Sequence, residues 1–237
     1  MTALLLVAHG DPDNAASSAA ARATARTLEA LGCFDPVRVG TLKEQPDAAE
    51  ILRGLAGRDV WVVPYFMAEG WFTGTVLPRV LDTAGVSYRQ LPAIGTAHGI
   101  DDAVVERARQ VAHDPAHSTL ALLGHGTRRS ATSRDTTLAC AQRLSRRGLY
   151  AEVLTAFTDD DPGLDTLDAR VTSPTVVAVP FFAGEGFHPS ALRDSISVSA
   201  GRTLLLASSA GSSPLVAQLV VDMVAHHRKA PRADASR

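Results

Sequence analysis

Cysteine is almost missing from this chain. Among 237 residues only Cys33 and Cys140 occur, far apart and in no CxxC spacing. Neither a disulfide framework nor a zinc knuckle can be built from them. An excess of positive charge is also missing: 23 Lys and Arg against 25 Asp and Glu leave a formal charge of −2. That argues against a nucleic-acid partner bound by bulk charge. Long apolar runs are lacking as well. The opening MTALLLVAHGD has no basic region and turns polar quickly, so it reads as a strand and not as a signal peptide. The late stretch Leu204–Ala225 is interrupted by Ser208, Ser209, Ser212, Ser213, Gln218 and Asp222, which excludes a membrane span. What remains is a soluble, cytoplasmic protein, with 46% hydrophobic residues to form cores.

The chain also repeats itself. ALLLVAHGD at 3–11 answers TLALLGHGT at 119–127, and VPYFMAEG at 63–70 answers VPFFAGEG at 179–186. His9 and Glu69 are 60 residues apart, as are His125 and Glu185; Pro46 and Pro162 keep the same offset of 116. Three matches in one register indicate a duplication. The halves are expected at 1–115 and 116–226, with 227–237 as a frayed polar tail.

Each half alternates strand and helix signals. The first gives strands at Leu4–Ala8, Val37–Thr41, Val60–Pro64 and near Tyr88–Ile94. Helices fall at Ala15–Leu31, Asp47–Leu55, Thr75–Asp82 and Asp101–Val111. The second half gives strands at 119–124, 151–156, 175–180 and 203–207. Such βαβ alternation predicts an α/β fold of two homologous, doubly wound parallel-sheet domains, with flavodoxin-like layers, facing a central cleft. Ligands in such sheets bind beyond the carboxyl ends of the strands. His9, His125 and the segments after Pro64 and Pro180 belong there.

His125 sits between Gly124 and Gly126 after a strand. Flanking glycines let the backbone turn and leave the imidazole open; alone, the motif could equally be a turn or a helix cap. His188, eight residues past Pro180, lies at the mouth of the third strand of the same half, and Glu185 is three residues before it. Two imidazoles and a carboxylate on one crevice suit Co²⁺, Fe²⁺, Ni²⁺ or Zn²⁺. With no thiolate they would hold the ion loosely. A further carboxylate could come from Asp159, Asp160 or Asp161, whose other reading is a solvated acidic turn. The first half keeps His9 and Glu69 but carries Phe72 at the place of His188, so its site is incomplete. Trp71 and Phe72 are candidates for an apolar wall against a flat ligand, or for ordinary packing under a loop. Arg128 and Arg129, where the helix after His125 should start, could bind carboxylates. Arg143, Arg146 and Arg147, at its far end, are expected to face solvent.

The AHGD and GHGT strand ends, the VPxFxxEG frames and the histidine beyond the second frame resemble the class II tetrapyrrole chelatases of the CbiX, SirB and CbiK kinds. The resemblance covers nearly the whole chain as a long, two-domain form. It implies two similar parallel α/β domains with a macrocycle in the cleft, and insertion of Co²⁺ or Fe²⁺ into sirohydrochlorin for cobalamin or siroheme. By position, His125 and His188 match the family's metal-binding, proton-accepting histidines, and Asp159 stands where some members carry a glutamate. Long forms often keep the histidine pair in the first domain; here it is complete only in the second. The implied partner is an anionic tetrapyrrole, with His9, Trp71, Phe72, Arg128 and Arg129 at its surface. The metal, Co²⁺, Fe²⁺ or Ni²⁺, is a substrate and no organic cofactor is needed. A duplicated chain can form the cleft as a monomer. Two other classes stay open: a carrier of tetrapyrrole or metal, and a hydrolase, for which no GxSxG and no base relay to Ser130 is present.

Overall fold

The computed structural model describes residues 2–127, 131–185 and 189–229. The first repeat runs β1 (Ala3–Ala8), α1 (Ala19–Leu31), β2 (Val37–Thr41), α2 (Ala48–Arg53), β3 (Val60–Pro64), α3 (Leu77–Asp82), β4 (Arg89–Gln90) and α4 (Ile100–Val111). The second runs β5 (Ser118–Gly124), α5 (Thr132–Arg146), β6 (Glu152–Phe157), α6 (Leu167–Arg170), β7 (Thr175–Pro180), α7 (Pro189–Asp194), β8 (Thr203–Leu206) and α8 (Leu215–Lys229). The strand orders are β2-β1-β3-β4 and β6-β5-β7-β8, with every pairing parallel. The chain is therefore an α/β protein built of two equivalent four-stranded sheets.

Several sequence signals translate directly into local structure. The Asp47 side chain accepts from the Glu50 backbone N–H and caps α2. Gly32, with φ 66°, ends α1 in the left-handed region. Some elements differ from expectation: Ala15–Ser18 forms a 3₁₀ turn ahead of α1, and Phe72–Val76 a π-helical turn ahead of α3. The fourth strand of the first repeat is two residues long, because Ile94–Thr96 coils into a 3₁₀ turn. The last helix continues to Lys229, beyond the expected boundary at 226, and places His226, His227, Arg228 and Lys229 in its final turn, where cations oppose the negative end of the helix dipole.

Strand residues alternate between two cores. In β1, Ala3, Leu5 and Val7 join α2 and α3 in an outer core, while Leu4, Leu6 and Ala8 face inward. In β5, Ala121 and Leu123 face an outer core that Leu167 and Leu192 complete, while Leu120 and Leu122 face inward. The two inward faces and the helices α1, α4, α5 and α8 form one cluster. Along the chain, α4 closes the first repeat, yet it packs on β7 of the second sheet; α8 packs on α1 and α4. The repeats thus share a core instead of meeting as closed lobes.

Polar ties cross the same layer. Arg143 of α5 forks onto Asp101 of α4, with Nε 2.8 Å from Oδ2 and Nη2 2.6 Å from Oδ1, and the buried Cys140 thiol donates to Asp101 Oδ1 at 3.4 Å. Arg147 pairs with Asp102 at 2.8 Å. These two arginines were expected to face solvent; α4 packs against α5 and supplies their carboxylates. The buried Tyr65 hydroxyl donates to Gly211 O at 2.6 Å and accepts from Thr24 at 2.8 Å, and Arg107 of α4 donates to Ser212 O.

Candidate functional site

The carboxyl ends of both sheets open into one cavity of about 680 Å³, a size usual for small-molecule sites. The first repeat contributes His9 and Gly10 after β1, and the segment Tyr65–Thr73 after β3. The second contributes His125–Thr127 after β5, Phe181–Gly184 after β7, and Thr132, Ser133 and Thr137 of α5. Each loop following a third strand reaches toward the first helix of the other repeat. A Cβ on Gly70 would lie 3.5 Å from Thr132 Oγ1, and one on Gly184 would lie 3.5 Å from Ala20 Cβ.

Glycine shapes the frame by two devices. Gly10 and Gly126 follow the histidines with φ of 75° and 63°, a region that side chains disfavour. Gly95 and Gly211 let the chain pass under the loops after β3 and β7, since a Cβ there would sit 2.0 Å from Met67 O and 2.4 Å from Ala183 O. Beside them, Glu69 Oε1 accepts from the Ala93 N–H at 2.5 Å. Glu185 Oε1 accepts from the Ser209 N–H at 2.8 Å and from the Ser209 and Ser212 hydroxyls, both at 2.9 Å. The paired glutamates therefore hold equivalent loops.

The histidine corners differ. His125 stacks on Phe182, centroids 4.4 Å apart at 27°. Its Nδ1 lies 3.8 Å from Asp159 Oδ2 and 3.4 Å from Thr158 Oγ1. The imidazole pKa is lowered, chiefly by desolvation, with Asp159 pulling the other way. His9 meets Phe72 edge-on at 4.6 Å and Phe66 at 6.4 Å. Its Nδ1–H donates to Gly10 O at 2.9 Å, which leaves the lone pair of the neutral ring on Nε2. The His9 pKa is also lowered by desolvation; Lys43 reinforces the shift, while the Gly10 hydrogen bond and Asp11 oppose it.

Of the residues singled out from sequence, His9, Glu69, Trp71, Phe72 and His125 stand in the cavity wall. Trp71 is 65% exposed and contacts Phe72 edge-on at 5.1 Å. Asp159 lies beside His125, and Glu185, whose Oε1 is taken by Ser209 and Ser212, is not a wall residue. His188, Arg128 and Arg129 lie outside the described residues. Among the described residues no cluster of three metal-ligating side chains forms, and none of the wall residues is Lys or Arg. Sequence reading missed Phe66, Phe182 and Lys43. The repeat register carried a signal for them, since Phe66 answers Phe182 and Lys43 answers Asp159 at the 116-residue offset.

A family model for CbiX matches the chain twice, over residues 3–111 and 119–227. The chain belongs to the CbiX family. A Halobacterium salinarum protein named as a probable sirohydrochlorin cobaltochelatase is 31% identical over 215 residues, covering 79% of this chain and 74% of its own. Among solved structures, a multi-domain Deinococcus radiodurans protein described as similar to chelatases aligns with a TM-score of 0.80 and 28% identity. The alignment takes in all of this chain but spans only 56% of that protein. SirB from Bacillus subtilis, solved with Fe³⁺, gives a TM-score of 0.76 at 17% identity over 95% of both chains, a likeness of fold. The two CbiX matches place one unit on each sheet, and the cavity lies between units. Among the described residues no helix is long and apolar enough to cross a membrane.

Proposed function

We propose that the protein inserts a divalent metal, Co²⁺ or Fe²⁺, into a sirohydrochlorin-type tetrapyrrole. The observation that carries this reading is a single cavity walled by Trp71, Phe72, Phe66 and Phe182, into which each sheet delivers a strand-end histidine. Membership of the CbiX family and the name of the Halobacterium relative support it. The cavity wall comes from both repeats of one chain, which supports action as a monomer.

Insertion needs displaceable metal ligands, acceptors for two pyrrole protons, and surfaces that fix the ring. His125 and His188 are assigned as the metal ligands. Asp159, whose Oδ2 lies 3.8 Å from His125 Nδ1, adds negative charge where the cation arrives. Desolvation favours the neutral His125 imidazole, the form that binds metal. Glu185 serves by holding the loop that leads to His188. The macrocycle lies against Trp71 and Phe72, and Arg128 and Arg129 engage its carboxylates.

The test mixes the protein anaerobically with Co²⁺ or Fe²⁺ and sirohydrochlorin and follows the visible spectrum. Conversion faster than the protein-free rate supports insertion. Pigment bound without acceleration would instead make the protein a carrier, the reading favoured by the missing ligand at Phe72.

A further inference from the structure

The turn after β8, Ala210–Ser212, is gripped by the first repeat. The buried Tyr65 hydroxyl donates to Gly211 O at 2.6 Å, Arg107 Nη2 donates to Ser212 O, and the Ser213 hydroxyl donates to Glu106 Oε2 at 2.8 Å. The same turn holds Glu185 through Ser209 and Ser212, and Glu185 follows directly on the wall segment Phe181–Gly184. The first repeat's own turn, Ile94–Thr96, is surrounded by other residue types. At the 116-residue offset Tyr65 answers Phe181, Arg107 answers Met223, and Ser209, Ser212 and Ser213 answer Ala93, Thr96 and Ala97. Phenylalanine and methionine have no donor to offer a carbonyl. Asp222, which answers Glu106, accepts instead from Gln218 of its own helix at 2.9 Å.

We propose that Arg107 is a positioning residue, by which the first repeat sets the shape of the second repeat's cavity wall. Its kinetic consequence rests on the proposed insertion reaction; the mechanical one does not. Arg107 is not itself a wall residue. It sits on α4, which packs on β7 and on the turn after β8, and its side chain is only 12% exposed. Nη1 donates to Gln110 Oε1 at 2.9 Å, Nε lies 3.6 Å from Glu106 Oε2, and Gln110 Nε2 donates back to Glu106. A guanidinium is a rigid planar fork, so fixing Nη1 and Nε along the helix aims Nη2 at the turn. Its bond to Ser212 O is charge-assisted, hence stronger than one between neutral groups. A peptide held at that carbonyl fixes where the Ser212 hydroxyl stands, and with it Glu185. Phe182, three residues before Glu185, stacks on His125, so the brace ends at the imidazole.

The experiment compares the whole protein with Arg107→Met, Arg107→Lys and a control, Arg109→Met, whose side chain is exposed two residues further along α4. Amide hydrogen exchange is followed without metal or pigment in the segments 181–185 and 207–213, and in their equivalents 65–69 and 91–97. Arg107→Met places at 107 the residue type found at 223. It should speed exchange about 10-fold in the first pair of segments and leave the second pair as in the wild type. Arg107→Lys, which keeps the charge without the fork, should show the same local pattern more weakly, and the control none. In insertion assays at saturating metal, kcat of Arg107→Met should fall about 10-fold, with KM for sirohydrochlorin held by the unchanged Trp71 and Phe72 side. Lysine should restore part of kcat. Exchange that rises equally in both pairs would make Arg107 a general stabiliser and overturn the assignment. Local loosening with unchanged kcat would overturn it too. A wild type that accelerates nothing would sink the insertion reading instead, while the exchange comparison still decides whether Arg107 holds the wall.

Discussion

The two strand-end corners share a backbone and differ in their side chains. Gly10 and Gly126 make the same left-handed turn, Gly95 and Gly211 pass under equivalent loops, and Glu69 and Glu185 tie those loops down. On that common frame, His125 gained an acidic neighbour and a stacked phenyl ring, while His9 gained a lysine and an edge-on one. Duplication thus preserved what the backbone requires and released what the chemistry could divide. One corner sets an imidazole beside a carboxylate; the other sets one among Lys43, Asp11 and two phenyl rings.

Replacing the two histidines should break this comparison most sharply. His125→Ala should lower insertion by about 10³-fold and His9→Ala by about 10²-fold, both within the range of acid–base and ligand contributions. An anaerobic spectrophotometric rate at saturating metal measures both, and equal, complete losses would mean that the corners are not specialised. The shared frame should respond differently. Gly95→Ala and Gly211→Ala each force a methyl group into backbone, so each should cost about 1–3 kcal/mol in urea unfolding, with similar values for the pair. A large disparity would show that one loop is dispensable.

Asp101→Asn should cost about 2 kcal/mol, because it strips the charge from a mostly buried carboxylate that holds Arg143 and the Cys140 thiol across the two repeats. The same substitution at Asp102, whose side chain is 59% exposed, should cost well under 1 kcal/mol. Smallest is the effect of pH. Both His9 and His125 titrate below the ordinary 6.5. Above that value the imidazoles are neutral folded and unfolded, so they contribute no pH dependence. As pH falls below 6.5 the unfolded chain takes up protons first, and the fold loses stability until the native imidazoles also charge. The urea midpoint should therefore drop modestly between pH 7.5 and 5.5, and less so in His9→Gln. An unchanged slope in that variant would place the His9 ring in an environment like water.

Much of the fold was legible because its signals are local. Leu4–Ala8 and Leu120–Leu123 read as strands buried on both faces, Asp47 and Gly32 marked helix ends, and the 116-residue register exposed the duplication. The short fourth strand was not legible, since Ile94–Thr96 turns to bring Gly95 beneath Met67, a contact between segments far apart in sequence. Arg143 and Arg147 read as solvent-facing because Asp101 and Asp102 lie about forty residues away and meet them only once α4 packs on α5. At the site, His9, Trp71, Phe72 and His125 were found from their places beyond strand ends. Lys43, Phe66 and Phe182 were missed because nothing local distinguishes them, although Lys43 has Asp159 as its repeat mate and the two phenylalanines answer each other.

Periodicity and spacing alone determined the α/β class, the two repeats, and the end of each sheet at which the shared cavity opens. Hydrophobic alternation and glycine stereochemistry act over a few residues, and any chain with this order of amino acids must obey them. Only the packed molecule decided that α4 leaves its own repeat for the other sheet, that Glu185 braces a loop, and that Lys43 comes near one imidazole and Asp159 near the other. Those outcomes depend on through-space contacts, whose energies exist only after distant segments have been brought together.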